Sequence, residues 1–156
     1  ILVRNRPSGT VAPTPADLTL EEYAAGGYRT LHSWGGARFS FEIAPVTETA
    51  TITLRAADPA SPPLTKRVTF AAHGAFRVEY AWEPWAAGDG AWFTVELSLF
   101  RTLPVSGDPA GEVWRHPVET VAKSERGLDR TLQGESVTVR WPASRGRAVL
   151  EVGPPA

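Results

Sequence analysis

The sequence predicts an all-β antiparallel sandwich with at most one short helix. Apolar residues alternate with period two in segment after segment from Tyr28 onward, and Gly, Pro and Asp clusters recur between those segments. Only one stretch carries a helix start signal. Many short alternating strands with regular turns favour two packed antiparallel sheets over a helical or parallel architecture. The 156 residues amount to one domain, enough chain to bury roughly 70 % of its unfolded surface.

Residues 1–18 contain Pro7, Pro13 and Pro15 and show no period, which predicts an extended arm or linker ahead of a sandwich domain at 19–156. Ile1 stands where a start methionine would, and the chain has no Met, so excision from a longer chain is expected. Thr19-Leu20-Glu21-Glu22 fits a capping box, and Gly26-Gly27 stops the helix after about two turns. Phe39, Phe41 and Ile43 share one strand face, and Ile52 and Leu54 do the same in the next segment. Pro59, Pro62 and Pro63 cannot sit in a strand interior. Val68 and Phe70 then lead into a hairpin turn at His73-Gly74, and Phe76, Val78, Tyr80 and Trp82 lead out. After a turn at 83–90, Phe93, Val95, Leu97 and Leu99 form one face of a strand, with Trp92, Thr94, Glu96 and Ser98 on the other. SGDPAG marks a further turn. The stretch 113–134 reads as a long charged loop, and two last strands surround PASRGR.

Sixteen basic and 17 acidic side chains leave a formal charge of −1, so no broad field draws the chain to nucleic acid or an anionic membrane. No apolar run approaches the roughly 20 residues that span a bilayer. The lack of cysteine excludes thiolate nucleophiles and zinc–thiolate sites and suits a cytoplasmic location. Asn5 and Gln133 are the only amides, and Arg far outnumbers Lys. Adaptation to heat and a GC-rich genome both produce that bias, and the two coexist readily.

No phosphate loop, nucleophile elbow or metal-spaced His pair is present, so no catalytic residue, metal or cofactor is expected. Three dispersed histidines, His32, His73 and His116, would form a site only by converging in space. Glu96 lies mid-strand beside Trp92, Thr94 and Ser98, a mixture suited to sugar: pyranose C–H faces stack on aromatics while carboxylates take hydroxyls. A solvated outer face, or a buried Glu96 paired with an Arg such as Arg77, explains the same residues. Among six tryptophans, Trp85 between Pro84 and Ala86-Ala87-Gly88 is least explained by strand packing. Trp85, Trp92 and Glu96 are therefore the candidate carbohydrate contacts.

The stretch VWRHPVETVAKSERGLDRTLQG followed by SVTVRWP resembles the closing segment of glycoside hydrolase family 57 proteins, the α-amylase/4-α-glucanotransferase group. Trp114, Pro117, Val118, Thr120, Val121, Ser124, Glu125, Gly127, Gln133 and Gly134 carry the likeness, and Trp92, Phe93, Glu96, Leu97 and Leu99 match a preceding strand. The likeness extends over 19–152, with its specific part at 92–141. It implies a non-catalytic C-terminal sandwich of the galactose-mutarotase-like type, supporting a catalytic (β/α) barrel, with α-glucan or maltooligosaccharide as its candidate ligand. That family's catalytic carboxylates lie in the barrel, so none transfers here, and the mutarotase His and Glu pair has no counterpart. Trp114, Ser124, Glu125 and Gln133 become candidates for docking the charged stretch on a neighbour. Two readings stand beside this one: an aldose-epimerase-like enzyme joining His32, His73 or His116 to Glu96 or Glu79, and a purely structural domain docking a partner chain.

Overall fold

Period-two alternation becomes two antiparallel sheets. The computed structural model describes residues 11–15, 18–26, 32, 34–59, 62–71, 74–84, 91–124 and 127–153. In chain order these form β1 (Val11–Pro15), α1 (Leu20–Ala25), β2 (Phe39–Ile43), β3 (Ala50–Ala56), β4 (Leu64–Phe70), β5 (Phe76–Trp82) and β6 (Ala91–Leu99). Then come β7 (Val105–Asp108), β8 (Glu112–Ser124), β9 (Gly127–Pro142), a 3₁₀ turn at Ala143–Arg145, and β10 (Arg147–Val152). One sheet has the order β1-β6-β9-β8 and the other β2-β3-β4-β5-β10-β7. The predicted all-β antiparallel sandwich with one short helix is the fold observed. No helix among the described residues is long and apolar enough to cross a membrane.

Three local readings are corrected. Val11–Pro15, expected within an arm, pairs along β6 as an edge strand, where proline is tolerated because one side of the strand needs no ladder donors. Ser106–Asp108, expected within the turn SGDPAG, belongs to β7 and pairs with β10. The stretch 113–134 is not a loop: it lies in β8 and β9, which pair from Glu112↔Arg140 to Ser124↔Gly127, with Val118↔Gly134 onward forming a β-ribbon within the stretch itself. Its charges alternate with apolar residues across two exposed faces, a pattern that mimics loop composition.

The core draws on both sheets. Val78, Tyr80 and Trp82 of β5 and Ala148, Leu150 and Val152 of β10 face Phe93, Val95 and Leu97 of β6 and Val139 and Trp141 of β9. Phe93 stacks flat on Trp82, with centroids 3.8 Å apart and 2° between planes. Tyr80 meets Phe93 edge-on at 5.5 Å, and Trp34 and Trp141 approach it at 6.0 and 6.4 Å. Each of these indoles finds a loop carbonyl for its N–H: Trp34 on Pro62 at 2.9 Å, Trp82 on Ala143 at 2.7 Å, Trp141 on Pro109 at 2.7 Å. The same side chains thus fill the core and pin three connections. Gly107 lets β7 pass close over Trp141, since a Cβ there would sit 2.7 Å from the indole.

Phe93→Ala removes the ring on which both sheets meet. A loss of about 3–5 kcal/mol is expected from large-to-small substitution in a packed core, read as a lowered urea midpoint at unchanged m-value.

Candidate functional site

The outer face of the four-stranded sheet carries the polar residues singled out above. Register places Glu112, Arg140 and Thr94 in one row, Trp114, Thr138 and Glu96 in the next, and His116, Ser136 and Ser98 beyond. Helix α1 lies across these rows. Its capping box is formed, with the Thr19 backbone N–H donating to Glu22 at 3.0 Å and the Glu22 N–H to the Thr19 hydroxyl at 3.2 Å. The left-handed Gly26 ends it at φ 72°. The Thr19 backbone N–H and, with it, the Thr19 hydroxyl at 3.1 Å hold the Glu22 carboxyl below its ordinary range.

Tyr23, 2 % exposed, points from α1 into the sheet and donates its hydroxyl to Glu96 Oε2 at 2.7 Å. Ser136 donates to the other oxygen at 2.7 Å. The Tyr23 ring sits edge-on to Trp114 at 5.6 Å and to His116 at 6.2 Å. Beside it Arg140, 1 % exposed, lies between Trp114 at 4.3 Å and Trp92 at 4.9 Å. Arg140 donates to Glu112 at 3.3 Å and to the Leu18 carbonyl at 3.3 Å. Burial pulls its guanidinium below the usual range, and the charge of Glu112 opposes that.

The structure therefore joins Trp92, Glu96 and Trp114 in one layer beneath α1, with both Glu96 oxygens occupied. Arg77, weighed as a partner for a buried Glu96, instead contacts Glu79 at 3.4 Å and Glu151 at 2.7 Å on the other sheet. Glu79 is thereby separated from His116 by the sandwich, whereas His116 and Glu96 both meet Tyr23 under the helix. His32 packs edge-on against Trp34 at 4.7 Å. Trp85, His73 and Glu125 lie outside the described residues. No cluster of three His, Asp or Glu able to hold a metal occurs among the described residues.

The ribbon leaves the sheet at a β-bulge. Val118 pairs with Gly134 and Glu119 with Leu132, which leaves Gln133 as the extra residue. Gly134 has φ +152°, and a Cβ there would collide with the Leu99 carbonyl. Gln133 donates its amide to Thr120 at 3.2 Å, across the ribbon. β6 pairs with β9 only as far as Leu99↔Glu135, so roughly 20 Å of two-stranded ribbon extends past its neighbour. Ser124 pairs with Gly127 at its tip. Val121, Leu128 and Leu132 are 39, 73 and 65 % exposed, on positions paired with Arg130, Lys123 and Glu119 and therefore on one face. At the base, Phe100, Arg101, Arg115, His116, Leu132 and Glu135 help line a cavity of about 300 Å³, with Arg115 and Glu135 paired at 2.6 Å. Tyr23 and Arg140 were invisible as site residues from sequence, because neither lies in a polar run.

Tyr23→Phe deletes one donor to a buried carboxylate and little else. A loss of about 1.5–3 kcal/mol in chemical unfolding is expected, with unchanged far-UV circular dichroism.

No curated protein sequence matches the chain. Among solved structures it resembles 4-alpha-glucanotransferase from Thermococcus litoralis, with a TM-score of 0.67 at 18 % identity over 94 % of this chain and 27 % of that one. At such identity the likeness is one of fold, and the chain spans about a quarter of that protein's length. Residues 99–150 match the family described as alpha-amylase/4-alpha-glucanotransferase, C-terminal. That segment contains β7, the ribbon, the bulge at Gln133-Gly134 and β9 whole. From Leu99 to Leu150, then, the chain is similar to the C-terminal region of the alpha-amylase/4-alpha-glucanotransferase family, as its closing motifs implied.

Proposed function

We propose that this chain is the non-catalytic C-terminal β-sandwich of a cytoplasmic α-glucan-processing protein of the glycoside hydrolase family 57 kind, seated on its catalytic domain by the ribbon. The observation that carries this reading is the ribbon itself. A two-stranded hairpin that projects beyond its sheet is marginally stable in water on its own. Here it also shows three aliphatic side chains on one face, ringed by Lys123 and the Arg130–Glu119 pair at 3.2 Å. An apolar centre with a charged rim is the composition of a protein–protein contact. The family match over the same residues supports the larger setting.

Binding of α-glucan belongs to the parent protein in this reading. Glu96 is closed by Tyr23 and Ser136, and Trp92 lies against Arg140, so sugar contact at that face would require α1 to lift. Trp85 remains the candidate contact for maltooligosaccharide on this domain. Isothermal titration of the parent with maltoheptaose compares Trp85→Ala with Trp92→Ala. Weaker binding in the first and none lost in the second is the expected pair of results.

Docking is tested by Leu128→Asp with Leu132→Asp in the full-length protein. Both residues are exposed, so the sandwich keeps its circular dichroism. Protease cutting between the domains is expected to rise at least tenfold, equivalent to about 1.4 kcal/mol of lost docking. Wild-type resistance in the double variant would sink the ribbon as the seat.

A further inference from the structure

Among the described residues, six strands on one side of the sandwich face four on the other. Three inward rows of the larger sheet show where the cover ends. Val78 in β5 is 5 % exposed, Val68 in β4 and Ile52 in β3 are half-buried, and Ile43 in β2 is 58 % exposed. Tyr80, Lys66, Leu54 and Phe41 follow the same gradient, from 5 % to 70 % exposed. Val152, Phe76 and Phe70 rise from 1 % to 45 %. Alternation places Phe39, Phe41 and Ile43 on one strand face. They do share the core-side face, but the smaller sheet stops short of it.

The ledge carries a single charge. Lys66 lies in the inward row beside Leu54, with its ammonium 4.9 Å from the centre of the Phe39 ring. No inward position of β2, β3 or β4 is acidic, and among the described residues Lys66 forms no ion pair. Burial lowers its affinity for the proton, as expected for a cation held against apolar neighbours. A second copy laid on this ledge would bring a second ammonium and no counter-charge. The missing complement is an apolar surface bearing a carboxylate.

We propose that the β2–β3 ledge of Phe41, Ile43 and Leu54 is a second docking surface, covered by an apolar patch of the parent's catalytic domain whose carboxylate pairs with Lys66. It rests on the reading that this sandwich is one domain of a larger protein, and it adds a site remote in sequence from the ribbon. Exposed aliphatic and aromatic side chains in one contiguous patch mark contact surfaces, and a half-buried cation with no ion pair among the described residues selects the sign of the partner.

The test places a benzophenone amino acid at position 41 of the full-length protein and, in a parallel protein, at position 128 of the ribbon. Capture by position 41 of a site in the same chain, outside the sandwich and neighbouring an Asp or Glu, is the expected result. Lys66→Gln should then reduce that yield several-fold and Lys66→Arg should keep it, with position 128 unaffected by either. Capture at 128 but not at 41 overturns the ledge and leaves the ribbon reading standing. Position 41 linking two copies to each other also overturns it. No intramolecular capture from either position overturns both.

Discussion

The stack of Phe93 on Trp82 is the contact from which the rest of the molecule follows. It joins Phe93, near the start of β6, to Trp82, the last residue of β5, so one pair of rings ties the two sheets together. The other core aromatics gather around it at 5.5 to 6.4 Å. Their indole N–H groups cannot be buried unpaired without cost, so each reaches a carbonyl at the core's margin. Packing and loop position are therefore set by the same side chains. A chain with no cysteine, and with a single short α-helix among the described residues, obtains cross-links of a non-covalent kind.

Strand β6 is buried on both faces, which explains its unusual sequence. Its apolar face enters the sandwich, while Thr94 and Glu96 enter a polar layer closed by α1. That layer holds a carboxylate with both oxygens hydrogen-bonded and a guanidinium bonded to Glu112 and the Leu18 carbonyl. Hydrogen bonds of this kind offset the cost of taking such groups out of water. The six-residue helix thus matters less for its own stability than for the Tyr23 hydroxyl it delivers.

Much of this was legible in the chain itself. Alternation located most of the strands, and Thr19 to Glu22 announced the helix correctly because capping is a local effect. Composition misled where charged and apolar residues alternate without burial, as between Val113 and Gly134, since a solvent-exposed ribbon and a loop have the same amino-acid content. The pairing of Tyr23 with Glu96, 73 positions apart, has no sequence trace. Nor does the face of Phe41: alternation reports that residues share a side of a strand, not whether another sheet reaches far enough to cover them. Glu96 looked like a ligand contact from its neighbours on β6, and only the residues arriving from α1 and β9 reveal it as an internal one.

The bulge at Gln133-Gly134 has a mechanical consequence. It sits at the root of an arm roughly 20 Å long, so a rotation of about 10° there sweeps the tip through about 3–4 Å, close to the rise of one residue along a strand. Two residues that contribute little to the core therefore govern where Leu128 arrives. A sandwich can drift in surface sequence while keeping its fold, but an arm must keep its aim, and the aim is written at the elbow rather than at the hand.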